Sequence, residues 1–300
     1  MDNNHHTSIS RLQAWVLATR PKTLPAAVSP VLVGCALAFR SGHFKPVIAF
    51  AALAVSLLLQ IGVNLANDYF DFKRGVDTKD RLGPTRVTQS GLIPPATVKN
   101  AMSGVLLLAG IAGLYLVYIG GWPILLLGVA SILSALAYSG GPFPLASNGL
   151  GDLFVFIFFG PVAVCGTYYL QTMEVTGLVI LLSICPGFLI TAILVVNNTR
   201  DIETDSEVGK RTLAVMLGIK GSRVEYLLLL IIAYLIPTTL VLMGMMPIFL
   251  LFVLLSLPAA YLPVKSILNE SGPVLNQALA GTAKLTFWFC LFLSIGLSLK

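Results

Sequence analysis

The chain has 300 residues, 56% hydrophobic and 11% charged, with a formal net charge of +6. A soluble domain carries roughly 25% charged residues, so an ordinary water-exposed surface is excluded and lipid is the expected solvent. The four cysteines, Cys35, Cys165, Cys185 and Cys290, form no close pair, which argues against a disulfide framework or a thiolate metal site.

Along the chain the first run of transmembrane character is 22–39, short and interrupted by Pro25 and Pro30. It is followed by runs at 46–70, 101–119, 121–138, 153–171, 176–199, 224–243 and 246–264, and by a last one at 277–299 that contains Lys284. Positions 100–151 hold no Lys, Arg, Asp, Glu or His over 52 residues, and 226–264 none over 39, so each stretch accommodates two spans of about 20 residues. The expected fold is all-α, a membrane bundle of about nine transmembrane helices forming a single domain over 1–300. The start of the chain has no charged segment followed by a cleavable apolar stretch, so no signal peptide is expected.

With nine spans and an inner N-terminus, fifteen lysines and arginines from Arg11 to Lys265 fall on inner segments. Only Arg40, Lys45 and Lys300 fall outside, and Lys284 lies within a span. That asymmetry predicts a multi-pass protein of the cell's inner or plasma membrane with a cytoplasmic N-terminus. Basic side chains facing anionic lipid account for the net charge without a nucleic-acid partner.

The polar stretches 71–100 and 200–223 are too short for a soluble domain but resemble each other. Each follows a span whose last turns become polar, and each continues into a basic loop on the inner side. They start near 64 and 197, which suggests two similar four-helix halves and a ninth helix.

Asn64, Asn67, Asp68 and Asp71 fall at i, i+3, i+4 and i+7, so a continuous helix stacks them on one face. Asn198, Asp201 and Asp205 repeat the pattern at i, i+3 and i+7, with Asn197 four before Asp201. An Asp near a bilayer core costs about 2.5–3.5 kcal/mol, so two such clusters in step call for a partner or an aqueous cavity. Oxygen ligands without His or Cys select hard cations, and Mg²⁺ is commonly held by a few carboxylates together with substrate phosphates. Lys73, Arg74, Lys79, Arg81 and Arg86 follow the first cluster, and Lys210 and Arg211 the second. Carboxylates, Mg²⁺ and cationic side chains together hold a diphosphate. In a membrane the fitting substrate is a diphosphate at one end and hydrocarbon at the other, a prenyl diphosphate. Tyr138, just before Gly140-Gly141-Pro142, is a candidate for stabilising an allylic cation, or else an interfacial belt tyrosine.

These residues resemble the UbiA-type intramembrane aromatic prenyltransferases, whose two Asp-rich motifs are written NxxxDxxxD and DxxxD. Asn67 and Asp71 match the start of the first motif, and Asp201 and Asp205 the second. Gly75 stands where the third residue of the first motif belongs, which leaves Asp77 or Asp68 to complete that site. The segments NDYFDFKRGVDT, YSGGPFPLASNGLGD and TRPKTLPAAVSP look like the 1,4-dihydroxy-2-naphthoate polyprenyltransferases of menaquinone synthesis. The resemblance implies polyprenyl diphosphate as donor, an aromatic quinone precursor as acceptor, loss of CO₂ and two Mg²⁺ ions. It gives Arg20 and Lys22 an acceptor carboxylate to pair with and Asp152 a ring hydroxyl to orient, beside the plainer readings of headgroup snorkelling and a favourable helix N-terminal charge. Other acceptors, such as 4-hydroxybenzoate, fit the same scaffold. A cation-coupled transporter is a different class; it predicts polar residues through the middle of several spans, whereas the carboxylates concentrate at the inner ends.

Overall fold

In the computed structural model the described residues, 9–77 and 82–299, are helical throughout apart from turns and loops. Eight helical segments are long and apolar enough to cross a membrane, and a ninth, Trp122–Ala137, is apolar but only 16 residues long. At about 1.5 Å per residue that ninth helix falls short of a hydrocarbon core of about 30 Å, which explains why sequence and length criteria count differently. The chain is a multi-pass membrane bundle.

It begins with α1 (Arg11–Thr19), opened by a capping box in which Ser10 and Gln13 exchange hydrogen bonds. Arg20 adopts a left-handed conformation with φ 49° and turns the chain through a 3₁₀ turn, Pro21–Thr23, into α2 (Leu24–Arg40). Pro25 sits in the first turn of α2, where its missing N–H costs nothing. The long hairpin α3 (Pro46–Lys73) and α4 (Pro95–Gly120) follows, then α5 (Trp122–Ala137) after a turn at Gly121.

The fifth predicted span is an α6 (Gly151–Ile157) and an α7 (Ala163–Thr172) joined by a π-helical stretch, Phe158–Val162, around Pro161. Proline removes a ladder donor, and the widened turn absorbs the loss. The remaining helices are α8 (Gly177–Arg200), α9 (Ile202–Glu207), α10 (Leu213–Leu242), α11 (Leu257–Asn269) and α12 (Leu275–Ser298). A 3₁₀ stretch, Ile248–Ser256, leads into α11, and α10 is interrupted at Gly218, whose φ of 66° is non-helical.

The helix α8 is the hub: 67% of its most apolar stretch is buried, against 22% for α3 and α4. It packs on α10, α12, α6 and α2, and α2 packs on α12, which brings the first and last spans together. Close approach relies on small residues, as in other membrane bundles. A Cβ on Gly160 would lie 2.9 Å from the Gly187 Cα of α8, and one on Gly34 would lie 2.7 Å from the Thr167 Cβ of α7. Replacing either by alanine forces two backbones apart.

Candidate active site

The helix α3 runs unbroken to Lys73, so the first acidic cluster is one helical face, but the face is not shared equally. Adjacent residues on a helix are rotated by about 100°, and Asn67 and Asp68 consequently point different ways. Asn67 and Asp71 line a large cavity of about 1020 Å³ in the bundle. Asp68 instead accepts from the backbone N–H groups of Val87 and Thr88 at 3.1 and 2.9 Å and fixes the segment after α3. Asp68, expected as a metal ligand, is absent from the cavity wall among the described residues and anchors this loop instead. Asn64 lines the cavity but donates to the Thr19 carbonyl and the Thr23 hydroxyl, both at 3.0 Å. Its amide nitrogen braces the α1–α2 joint, and its Oδ1 accepts from Gln60 at 3.4 Å.

Asp71 is buried and held between two guanidinium groups, with Arg74 on Oδ1 and Arg86 on Oδ2, each at 3.1 Å. Arg86 also reaches Asp77 through Nε at 3.2 Å, so Asp71 and Asp77 share one buried arginine. Arg86 lines the cavity, and its Nη1 is buried with no hydrogen-bond partner among the described residues. A buried guanidinium N–H without an acceptor is costly and suits an anionic ligand. Asp77 does not line the cavity among the described residues, and Lys79 and Arg81 lie outside them.

The second cluster is built differently. The helix α8 ends at Arg200, and Asp201 sits at the break before α9 instead of on a continuing helix. Arg200, with a fully buried side chain, grips the Asp201 carboxylate with two nitrogens, Nε at 2.7 Å. Its remaining donors go to Asn276 Oδ1 at 2.7 Å and Asn197 Oδ1 at 2.9 Å. Asn276, near the start of α12, donates in turn to the Leu82 carbonyl at 2.9 Å, tying the second cluster to the loop that carries Arg86. Asp205 pairs with Lys210 at 3.4 Å. Asn197, Asn198, Asp201, Asp205 and Lys210 all line the same cavity as Asn67 and Asp71.

The segment after α5 stitches the clusters together. Ser139 donates to Asn67 Oδ1 at 2.7 Å, Arg74 donates to the Ser147 hydroxyl at 3.2 Å, and the Ser147 carbonyl accepts from the Arg211 N–H at 3.0 Å. Tyr138 lines the cavity, with its carbonyl accepting from the Ala146 N–H and closing the turn. Its hydroxyl lies 3.4 Å from where a Gly151 Cβ would stand. Asp152 is buried and does not line the cavity among the described residues; its Oδ2 has no hydrogen-bond partner among them. Arg20 and Lys22 line the cavity, Lys22 at its exposed edge.

Lys73 and Arg211, expected to bind substrate, are exposed and absent from the cavity wall among the described residues. Lys73 falls on the outer face of α3, and Arg211 uses its backbone rather than its side chain. Arg200 and Asn276 escaped sequence reasoning: an arginine at a helix end reads as one more inner-face charge, and Asn276 is distant in the chain. The only available signal was that Arg200 directly precedes Asp201.

The donor set fits a hard divalent cation, being all oxygen: Asn67 and Asp71 from one tip, Asp201 and Asp205 from the other. Among the described residues no three His, Cys, Asp or Glu side chains are close enough to cage a metal by themselves. Mg²⁺ is commonly held by one or two carboxylates with substrate phosphates supplying the rest; of the seven expected ligands, Asn64, Asn67, Asp71, Asp201 and Asp205 line the cavity, and Asp68 and Asp77 do not among the described residues.

Residues 27–291 match the model of the UbiA prenyltransferase family. The chain is 44% identical to "1,4-dihydroxy-2-naphthoate octaprenyltransferase" of Escherichia coli (strain K12) over 221 residues, covering 72% of each protein. It is 34% identical to the Bacillus subtilis (strain 168) protein of the same name over 94% of this chain and 91% of that one. Its fold is similar to the solved structure of a UbiA homolog from Archaeoglobus fulgidus bound to GPP and Mg²⁺, with a TM-score of 0.67 and 17% identity over 95% of this chain and 100% of that one. A family match over most of the chain, together with relatives above 30% identity, places this protein in the UbiA prenyltransferase family.

Proposed function

We propose that this protein is a Mg²⁺-dependent prenyltransferase that moves a polyprenyl chain from polyprenyl diphosphate to 1,4-dihydroxy-2-naphthoate with loss of CO₂. The observation that carries the reading is that both Asn/Asp tips line one cavity whose wall is otherwise mostly apolar, with Arg20, Lys22, Arg86 and Lys210 among its charged residues. The names of the bacterial relatives support the naphthoate as acceptor.

Asn67 and Asp71 would hold one ion and Asp201 and Asp205 another. Mg²⁺, when bound, supplies positive charge that stabilises the departing diphosphate. Arg86 and Lys210 line the cavity, and Arg74 contacts Asp71; all three now neutralise carboxylates and would bind diphosphate oxygens instead. The allylic C–O bond breaks, the ring carbon bearing the carboxyl group forms the new C–C bond, and that carboxylate leaves as CO₂, returning its electrons to the ring.

Tyr138, Phe154 and Phe158 line the cavity and present aromatic faces that favour a cation. The apolar wall keeps water from capturing it. Arg20 and Lys22 would receive the acceptor's carboxylate, and Asp152 would act behind Tyr138 to orient the ring hydroxyl. Asp77 acts through Arg86 as a positioning residue. The tips are read as matching ends of two similar halves followed by α12. The inner-face excess of basic residues supports a cytoplasmic N-terminus and an active site near the cytoplasmic face.

Purified protein in detergent, supplied with Mg²⁺, a polyprenyl diphosphate and a panel of aromatic acceptors, tests this directly. Prenylated, decarboxylated naphthoate is expected. Transfer to 4-hydroxybenzoate alone overturns the acceptor, and no transfer to any acceptor overturns the enzyme.

A further inference from the structure

Away from the acidic tips, the cavity wall carries a second polar patch, built where α3 meets the α1–α2 joint. Gln60, Asn64 and Thr23 all line the cavity there, and their hydrogen bonds fix which way each amide is turned. The Thr19 carbonyl can only accept, so Asn64 presents Nδ2 to it at 3.0 Å and gives its second N–H to the Thr23 hydroxyl at 3.0 Å. The Thr23 hydroxyl proton is committed to the Arg20 carbonyl at 2.9 Å, so toward both amides its oxygen acts as an acceptor. Asn64 Oδ1 therefore faces Gln60, whose Nε2 donates to it at 3.4 Å and to Thr23 Oγ1 at 3.3 Å. Turning the Gln60 amide over would set an oxygen against two acceptors. Gln60 Oε1 is the atom left over: it is buried with no hydrogen-bond partner among the described residues, in a residue only 8% exposed. Ser56, one turn earlier on the same wall, gives its proton to the Ala27 carbonyl at 2.9 Å instead.

A buried amide oxygen without a donor is costly, and a donor brought in by a substrate removes that cost. Gln60 lies eleven residues before Asp71 on α3, about 16 Å along the helix axis, too far to serve a diphosphate held at the tips. A hydrocarbon tail has no N–H or O–H to give. Of the two substrates, the dihydroxynaphthoate is the one that carries hydroxyls. Its 1-hydroxyl stands beside the carboxylate and closes an internal hydrogen bond with it, which leaves the 4-hydroxyl as the free donor. We propose that Gln60 Oε1 accepts the proton of the 4-hydroxyl and so selects acceptors that carry a donor at that position. The inference rests on the naphthoate reading of the site. The 4-hydroxyl is meta to the carbon that is prenylated, so this bond holds the ring in place and leaves activation of that carbon to the 1-hydroxyl. Asn64 and Thr23 are positioning residues, because they decide which end of the Gln60 amide meets the ligand.

Analogues altered at the 4-position separate a donor from a group that only fills the same space. Competition against 1,4-dihydroxy-2-naphthoate is measured with the unmodified protein, Mg²⁺ and a polyprenyl diphosphate, using a 4-amino analogue, which keeps an N–H, and a 4-fluoro analogue, which has none. The 4-fluoro compound should inhibit about tenfold more weakly than the 4-amino compound, the scale expected for one buried acceptor left unsatisfied. Equal inhibition means that water, not the acceptor, satisfies Gln60, and it overturns the proposal without recourse to a variant. In Gln60→Met, similar in length and lacking the amide, the difference between the two analogues should shrink to less than about twofold, as in a cycle whose coupling has been removed. A folded variant that keeps the full preference overturns the role of Gln60. If the unmodified protein does not prenylate the naphthoate at all, the acceptor reading falls and this inference with it; prenylation with inhibition that ignores the 4-substituent sinks the Gln60 assignment alone.

Discussion

The two acidic tips reach one cavity by two constructions. At the first, α3 stays helical through Lys73, and Asp71 is held by one arginine a turn away and another fifteen positions later, Arg74 and Arg86. At the second, the helix breaks, and Asp201 is gripped by the arginine immediately before it. That arginine is in turn fixed by Asn276, 76 residues away. The first tip depends on a loop folding back; the second depends on the last helix docking. A carboxylate with a buried guanidinium on it cannot be displaced without leaving a charge unpaired, so both constructions hold their carboxylate in place.

The largest effects should come from the carboxylates themselves. Asp71→Asn and Asp201→Asn are each expected to lower kcat by about 10³-fold, at the upper end of what loss of one electrostatic stabiliser costs, while detergent-solubilised protein stays folded. A variant that turns over normally at saturating Mg²⁺ would remove that tip from the metal site. Next, Arg86→Ala should cost about 10²-fold in kcat/KM, with most of it in the KM for the prenyl diphosphate. If only thermal stability moved, Arg86 would be a brace for Asp71 and Asp77 and nothing more.

Asn276→Ala tests whether the second tip depends on α12. It should reduce kcat by about tenfold, the lower bound for losing an outer partner of a metal site, and weaken the response to Mg²⁺, with Asn276→Asp recovering part of it. Asp68→Ala should act on stability, by about 1–3 kcal/mol for two orphaned N–H groups, read as a lower thermal midpoint with kcat largely retained. Smallest of all, Lys73→Ala should change kcat/KM by less than about twofold, as for most exposed substitutions; a large loss would place its side chain back on the substrate.

Much of the site could be read from residue spacing because a helix converts spacing into direction. Asn67 and Asp71, four apart, face the cavity together, and so do Asn197, Asn198 and Asp201 near the end of α8. Spacing failed where the tolerance of a helical face is wide. Asp68 fits the same pattern as Asp71 within a turn, and only its contacts with Val87 and Thr88 show that it serves a loop. The basic residues were harder, since a lysine on an inner segment satisfies membrane orientation wherever its side chain points. Lys73 and Arg211 were indistinguishable from Arg86 and Lys210 until the cavity wall separated them.

By itself the sequence determined that the chain lives in lipid, where its spans lie, and that two carboxylate clusters end them, because apolar length and helical period are local properties. The tertiary structure alone decided which carboxylates share a cavity and that Arg200 and Asn276 hold one of them. Those features arise from contacts between segments far apart in the chain, and packing chooses such contacts among many that local patterning permits equally.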